Sequence, residues 1–239
     1  MNFTKTLAFI AAFAGLLCTS AQATTLNLVT NGNFDTVANY TGKVTTTTVP
    51  GWSTTGYNFV FSANGGDNNT FMNLWGPKNG AANGLGASPT GGNYIGADGN
   101  YGVGALTQTI NGLVVGQSYD LSFYWGAAQQ AGFNGLNTEQ WIVRLGDQQL
   151  STSVYNNANH GFSGWMQESF TYTATSTSEV LSFLAQGTPT GEPPFSLLDG
   201  VSLTANVPEP SSTALFLGGL ALLGCAMRAR RRSSAAGTQ

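Results

Sequence analysis

The chain has 239 residues, of which 41% are hydrophobic and only 8% charged, and a formal net charge of −3. Four of its eight basic residues, Arg228, Arg230, Arg231 and Arg232, stand near the C-terminus, so residues 24–206 carry only Lys43, Lys78 and Arg144 against ten acids, a net −7. Three scattered cations offer no surface to nucleic acid phosphates. The two cysteines, Cys18 and Cys225, lie outside that stretch, which excludes disulfides and thiol chemistry from it and leaves it to stand on a hydrophobic core.

In chain order, Lys5, the apolar run Leu7 to Leu17 and the small residues Ala21-Gln22-Ala23 form a secretory signal peptide, residues 1–23, with Thr24 as the first mature residue. The next 183 residues, 24–206, suffice for one domain with a sizeable core. Their periodicity is that of strands. Short candidates are Leu26–Val29, Tyr57–Ser62 and Ala105–Ile110. Ser118 to Trp125 alternates, with Tyr119, Leu121, Phe123 and Trp125 on one face. Glu139 to Gly146 puts Trp141, Val143 and Leu145 on one side and Arg144 on the other. Met166–Tyr172, Val180–Ala185 and Leu197–Thr204 complete the set. No stretch keeps a capped helical period, and many short strands with Gly, Asn and Pro turns predict an all-β, antiparallel β-sandwich.

One segment interrupts the spacing. From Asn64 to Gly104, 12 of 41 residues are Gly and 8 are Asn, yet Phe71, Leu74, Trp75, Tyr94, Ile95 and Tyr101 are embedded there. That apolar content predicts an ordered excursion packed over one sandwich edge. It also supplies what sugar recognition needs, aromatic faces (Trp75, Tyr94, Tyr101) beside amides (Asn73, Asn93, Asn100). The plainer reading is that these aromatics pin the loop down. Of the other tryptophans, Trp125 and Trp141 follow the apolar parity of their strands, Trp52 plugs the core near the first turn, and Trp165 fits either side.

Catalytic signals are weak. His160, the single histidine, sits in an Asn-His-Gly turn, and Gly86 to Gly91 misses a nucleophile elbow by one residue. No His/Cys cluster suits zinc. Asp98, Glu139 and Glu168 would serve as hydrolytic carboxylates only if the fold brought them together. No catalytic residue and no enzymatic activity are expected. Asp199 shares strand parity with Leu197, Val201 and Leu203 and is predicted to point into the sandwich, where a carboxylate needs donors or a metal.

At the C-terminus, Val207-Pro208-Glu209-Pro210 cannot enter a helix and reads as an extended spacer. The 17-residue run Ser211 to Met227 is at the lower edge of a transmembrane helix, residues 228–232 form a basic stop that stays cytoplasmic, and residues 233–239 read as a disordered tail. This order of spacer, span and arginines resembles the PEP-CTERM sorting signal of exported bacterial proteins; a plain single-span anchor is the alternative. The resemblance covers residues 207–232 and implies recognition by an exosortase, a membrane-embedded processing enzyme.

A second resemblance spans most of residues 26–204. The order Asn31-Gly32-Asn33-Phe34-Asp35, Pro50-Gly51-Trp52, Leu106 to Ile110, Gly116 to Phe123 and Leu198 to Leu203 is similar to the galactose-binding-like jelly-roll domains, many of them carbohydrate-binding modules. It implies a structural Ca²⁺ held by Asp35 and Asp199, although Gly200 stands where many relatives carry a second polar residue. Together the readings predict an exported, at least transiently membrane-anchored protein of the cell surface or exopolysaccharide matrix. The expected role is a non-catalytic glycan-binding or adhesive module. The alternatives are a structural matrix component without a specific ligand and, third, a glycan-cleaving enzyme.

Overall fold

The computed structural model describes residues 26–63, 66, 70, 72–206 and 220. The signal peptide, the sorting residues Val207, Pro208, Glu209, Pro210, Arg228, Arg230, Arg231 and Arg232, the tail 233–239, all of the run 211–227 but Leu220, and Phe71 lie outside them. Among the described residues no helix is long and apolar enough to cross a membrane.

Among the described residues eleven strands form two antiparallel sheets. In chain order they are β1 (Ser53–Thr54), β2 (Asn58–Phe61), β3 (Tyr94–Asp98), β4 (Leu106–Asn111), β5 (Ser118–Gln129), β6 (Asn137–Leu145), β7 (Gln148–Ser151), β8 (Tyr155–Asn157), β9 (Met166–Thr173), β10 (Ser178–Thr188) and β11 (Pro194–Ala205). One sheet runs β1-β4-β10-β6-β7, with β8 also paired to β6; the other runs β2-β3-β11-β5-β9. The expected strand at Leu26–Val29 is irregular, because the Asn27 side chain takes the ladder position: its Oδ1 accepts from Leu203 N (2.9 Å) and Val29 N (3.0 Å). The strands β1, β3, β7 and β8 are not among those the sequence predicts.

Between the sheets lies the main core. Trp141, Phe183, Phe123, Leu121, Leu145 and Leu203 are fully or almost fully buried there, and Phe183 receives Phe123 (5.1 Å) and Trp141 (5.9 Å) edge-on. Trp125 and Trp141 are core residues, as their parity predicts, and Trp52 is the expected core plug. Trp141 keeps its indole N–H satisfied on Leu197 O at 3.0 Å.

A second apolar cluster covers the opposite face of the five-stranded sheet. Phe59, Phe61, Tyr94, Phe195 and Leu197 point away from the main core and are sealed by Met72, Leu74 and Leu85 of the excursion. The excursion therefore covers the outer face of β2, β3 and β11 instead of an edge, and it feeds β3 between β2 and β11. Burial of each such side chain contributes about 1.5–3 kcal/mol, enough to hold a Gly- and Asn-rich segment in place.

The interior turns polar at one end of the sandwich. Along the inward face of β6, Leu145, Val143 and Trp141 give way to Glu139 and Asn137, both buried. Both carboxylate oxygens of Glu139 and both amide atoms of Asn137 lack a hydrogen-bond partner. Burial pushes the Glu139 carboxyl up to about 9, only partly opposed by Asn157. A carboxyl raised on folding stabilises below its unfolded value near 4.5, and that contribution is lost as pH rises towards 9. Glu139→Gln should therefore match the wild type in melting temperature near pH 4.5 and exceed it by several degrees at pH 8. Parallel melting curves of the two proteins across that range would show that Glu139 is not held neutral.

Candidate functional site

Asp199 is buried, but its side chain does not enter the sandwich interior. Leu197 faces the outer cluster and Leu198 the main core, so Asp199 shares the outward face with Leu197. A bulge between Asp199 and Ser202, with Gly200 at φ 60°, then resets the parity so that Val201 and Leu203 point inward. The parity argument fails at this bulge, which one extra residue creates. The carboxylate is capped by the excursion: its Oδ2 accepts from the hydroxyls of Ser88 and Thr90, and its Oδ1 from Gly200 N at 2.7 Å.

Asp35 approaches the same loop from the Asn31–Asp35 turn. Its Oδ1 accepts from Asn93 N and its Oδ2 from Asn33 Nδ2, both at 2.7 Å. Gly92 must be glycine: a Cβ there would lie 1.7 Å from Asp35 Oδ1. The turn is locked to β11 by Val201 N donating to Gly32 O (2.9 Å). Burial raises the Asp199 carboxyl to about 6, against the lowering effect of the Ser88, Thr90 and Gly200 bonds, and the Asp35 charge raises it further. Two carboxylates and two hydroxyls thus converge on residues 88–93. This oxygen set suits a hard cation such as Ca²⁺, which would draw its remaining ligands from loop carbonyls and water. Among the described residues no group of three or more His, Cys, Asp and Glu side chains forms a metal cluster.

The six residues expected at a ligand platform separate. Tyr94 is fully buried, stacked on Phe61 at 5.5 Å, with its hydroxyl accepting from Gly66 N and burial pushing the phenol up. It offers no face to a ligand. Asn93 is committed to the Asp35 turn, its Nδ2 donating to Phe34 O (3.2 Å). The other four reach one end of the sandwich, here the far end, where the β3–β4, β5–β6, β8–β9 and β10–β11 connections lie. Trp75 pins the excursion there: its backbone N donates to Gln129 O (2.9 Å), its Nε1 to Phe133 O (2.7 Å), and its ring packs on His160 at 3.8 Å. Asn73 takes Ala131 N on its carbonyl (2.8 Å). His160, in a left-handed conformation, bonds Asn134 Oδ1 through Nε2 at 2.7 Å. Its position in an Asn-His-Gly turn was the only sign of this role in the sequence.

Tyr101 is 68% exposed and meets Tyr57 edge-on at 5.4 Å, while Lys43 Nζ lies 4.4 Å from the Tyr57 ring centre. Asp98, whose carboxyl burial raises, holds the loop through Asn100 N and Tyr101 N. Asn100 Nδ2 donates to Gly187 O (3.2 Å). Next to Gly187, Thr188 lines a cleft of about 440 Å³ with Asn137, Thr138, Asn156, Asn157 and Leu136. This open cleft, which Ala158 and Pro189 also line, lies at the same end of the sandwich as Tyr101 and His160. The carboxylates Asp98, Glu139 and Glu168 do not assemble: Glu139 is buried in the other sheet, and β11 and β5 separate β3 from β9, about 14 Å at ordinary strand spacing.

Residues 206–232 match the family model of the PEP-CTERM protein-sorting motif. No curated protein matches the chain. Similar solved structures include TmCBM61 in complex with β-1,4-galactotriose, at TM-score 0.43 and 14% identity over 76% of this chain and 100% of that one. The K3 cleaved adhesin domain of Lys-gingipain from Porphyromonas gingivalis W83 has a TM-score of 0.39 and 14% identity, covering 65% and 92%. The CBM22-1–GH10 modules of Clostridium thermocellum xylanase 10B, complexed with xylohexaose, have a TM-score of 0.37 and 14% identity, covering 77% and 28%. The likeness is one of overall sandwich shape.

The Asp35–Asp199 arrangement gives a test with opposite signs. In EDTA, the raised Asp199 carboxyl stabilises at low pH, and that contribution is lost as pH rises from about 4 through about 6. With excess Ca²⁺ the cation takes the place of the proton, so stability should instead rise over that window. Asp199→Asn should lose the difference between EDTA and Ca²⁺ and keep only the fall that Glu139 produces. Melting curves at pH 4, 5, 6 and 7 that are identical in EDTA and Ca²⁺ would remove the metal.

Proposed function

We propose that this is an exported bacterial surface or matrix protein whose jelly-roll sandwich binds neutral polysaccharide at its far end and whose C-terminal signal delivers it to an exosortase. The export and sorting half rests on the PEP-CTERM motif at 206–232, which implies an exported protein held by the membrane and processed by that enzyme. The apolar run 211–227 would be the span and residues 228–232 its cytoplasmic stop. Residues 1–23 would be the signal peptide that starts export.

The observation that carries the glycan half is an open cleft at the same end of the sandwich as an exposed tyrosine. Sugar hydroxyls need neutral donors and acceptors, for which the exposed Asn156 side chain and the Thr138–Thr188 hydroxyl pair are the candidates, and sugar C–H faces need an aromatic ring, for which Tyr101 is the candidate. The low charge of the domain favours a neutral ligand over a polyanion. Trp75 then acts by fixing the tip, in keeping with its three anchoring contacts.

Tyr101→Ala should weaken binding to purified exopolysaccharide by roughly tenfold, about 1.4 kcal/mol, without moving the melting temperature. Trp75→Ala should lower both affinity and melting temperature. Isothermal titration at low and high salt should give similar affinities. Absence of saturable binding in the wild type would leave a structural matrix component as the reading. For the sorting half, Pro210→Ala should leave a longer membrane-bound species in a host with the exosortase. Wild-type protein that keeps residues 228–232 in such a host would leave a plain anchor.

A further inference from the structure

The end of the sandwich opposite the cleft carries an apolar tip exactly where the chain departs for its C-terminal signal. The turn between β4 and β5 holds Val114 and Val115 outward, at 61% and 60% exposure. This is not a slack loop. Leu113 N bonds Thr177 O (3.1 Å), Gly116 N bonds Ala174 O (2.8 Å), and Gln117 N closes the turn on Val114 O (3.0 Å). Val114 N donates to the Tyr119 hydroxyl at 2.9 Å, and Leu113 is buried as the anchor. Gly112 and Gly116 supply the positive φ angles of 81° and 82° that the turn requires. Among the described residues, two branched apolar side chains are thus held largely exposed by a rigid frame.

The last domain residue is fastened to the same frame. Asn206 N donates to Ser118 O (2.9 Å), Gln117 Nε2 donates to Asn206 O (2.9 Å), and Asn206 Nδ2 reaches Asp120 Oδ1 (3.3 Å). Five peptide steps separate Asn206 from Ser211, where the 17-residue apolar run begins, a reach of at most about 17 Å when fully extended. With Pro208 and Pro210 in that spacer, coiling back is restricted. A span in the bilayer therefore brings the valine turn to the lipid surface.

We propose that the Leu113–Gly116 turn seats Val114 and Val115 in the outer interface of the bilayer that holds residues 211–227, so that the sandwich stands on the membrane with its cleft directed outward. This rests on the reading of 211–227 as a span. Two valines alone bind lipid weakly, but the tether makes the contact intramolecular, and a high effective concentration replaces intrinsic affinity. The contact fixes orientation: without it a domain on a four-residue spacer can tilt, and with it the Tyr101 and Trp75 loops point away from lipid.

The test uses the full chain after signal removal, with Cys225→Ser, reconstituted into phosphatidylcholine vesicles that contain nitroxide-labelled lipid. An environment-sensitive fluorophore on Val115→Cys should shift to the blue and be quenched by the nitroxide, and the same fluorophore on Phe133→Cys, at the far end, should stay water-like and unquenched. Adding Val114→Asp should return the Val115→Cys signal towards that of water. Protein that floats with the vesicles but shows equal, water-like emission at both positions overturns the seated tip while leaving the span intact. Protein that fails to float overturns the span and the tip together.

Discussion

Three strands of the five-stranded sheet, β2, β3 and β11, are apolar on both faces, and the rest of the structure follows from that constraint. An antiparallel sheet ordinarily buries one face and wets the other. Here β2, β3 and β11 send Val60, Ile95 and Leu198 into the main core and Phe59, Phe61, Tyr94, Phe195 and Leu197 to the opposite side. Uncovered, that second face would be a continuous aromatic patch, so the chain must lay another layer over it. Residues 72–93 of the excursion form that layer, with Met72, Leu74 and Leu85 as contacts and Trp75 as clasp at the far end.

The cover also explains the buried carboxylate. Asp199 is the polar residue at the point where β11 passes beneath the loop, and it is tolerated because Ser88, Thr90 and the Gly200 amide supply donors at once. The bulge at Gly200 does two things. It frees an amide to face the carboxylate, and it lets Val201 resume inward packing against the Asn31–Asp35 turn. Asp35, Asp199 and residues 88–93 are thus one unit, in which a turn, a loop and a strand irregularity hold each other in register.

Polarity runs along the sandwich axis. At the chain exit the interior is Ile110, Leu113, Leu145 and Leu203 with Tyr119 and Tyr172, Glu179 is buried beside them on the amides of Thr175 and Ser176, and the surface turn is apolar. At the far end the interior carries Glu139, Asn137, Gln129 and Asn157, and the loops above it are rich in amides. A molecule with this gradient has one end suited to an apolar neighbour and one suited to a hydroxyl-rich one. The frame between them is held by the edge-on aromatic contacts around Phe183.

Much of this was legible in the sequence because it depends on local period and order. The alternation of Tyr119 to Trp125 and of Trp141 to Leu145 fixed which face of β5 and β6 is buried, and the sequence of spacer, apolar run and arginines after Asn206 marked the sorting signal, because both are patterns of neighbours along the chain. The tertiary structure alone decided the remainder. Tyr94 reads like a loop aromatic until β3 is paired with β2 and β11, which turns it into a buried residue of the outer cluster. Asp199 reads as inward until a single extra residue in β11 reverses the parity beyond it. His160 and Asn134, 26 residues apart, and Asn100 and Gly187, 87 apart, share the far end only because strands of different length bring their loops to one level. Contacts between distant segments depend on register and sheet order, and no pattern confined to one stretch of sequence encodes either.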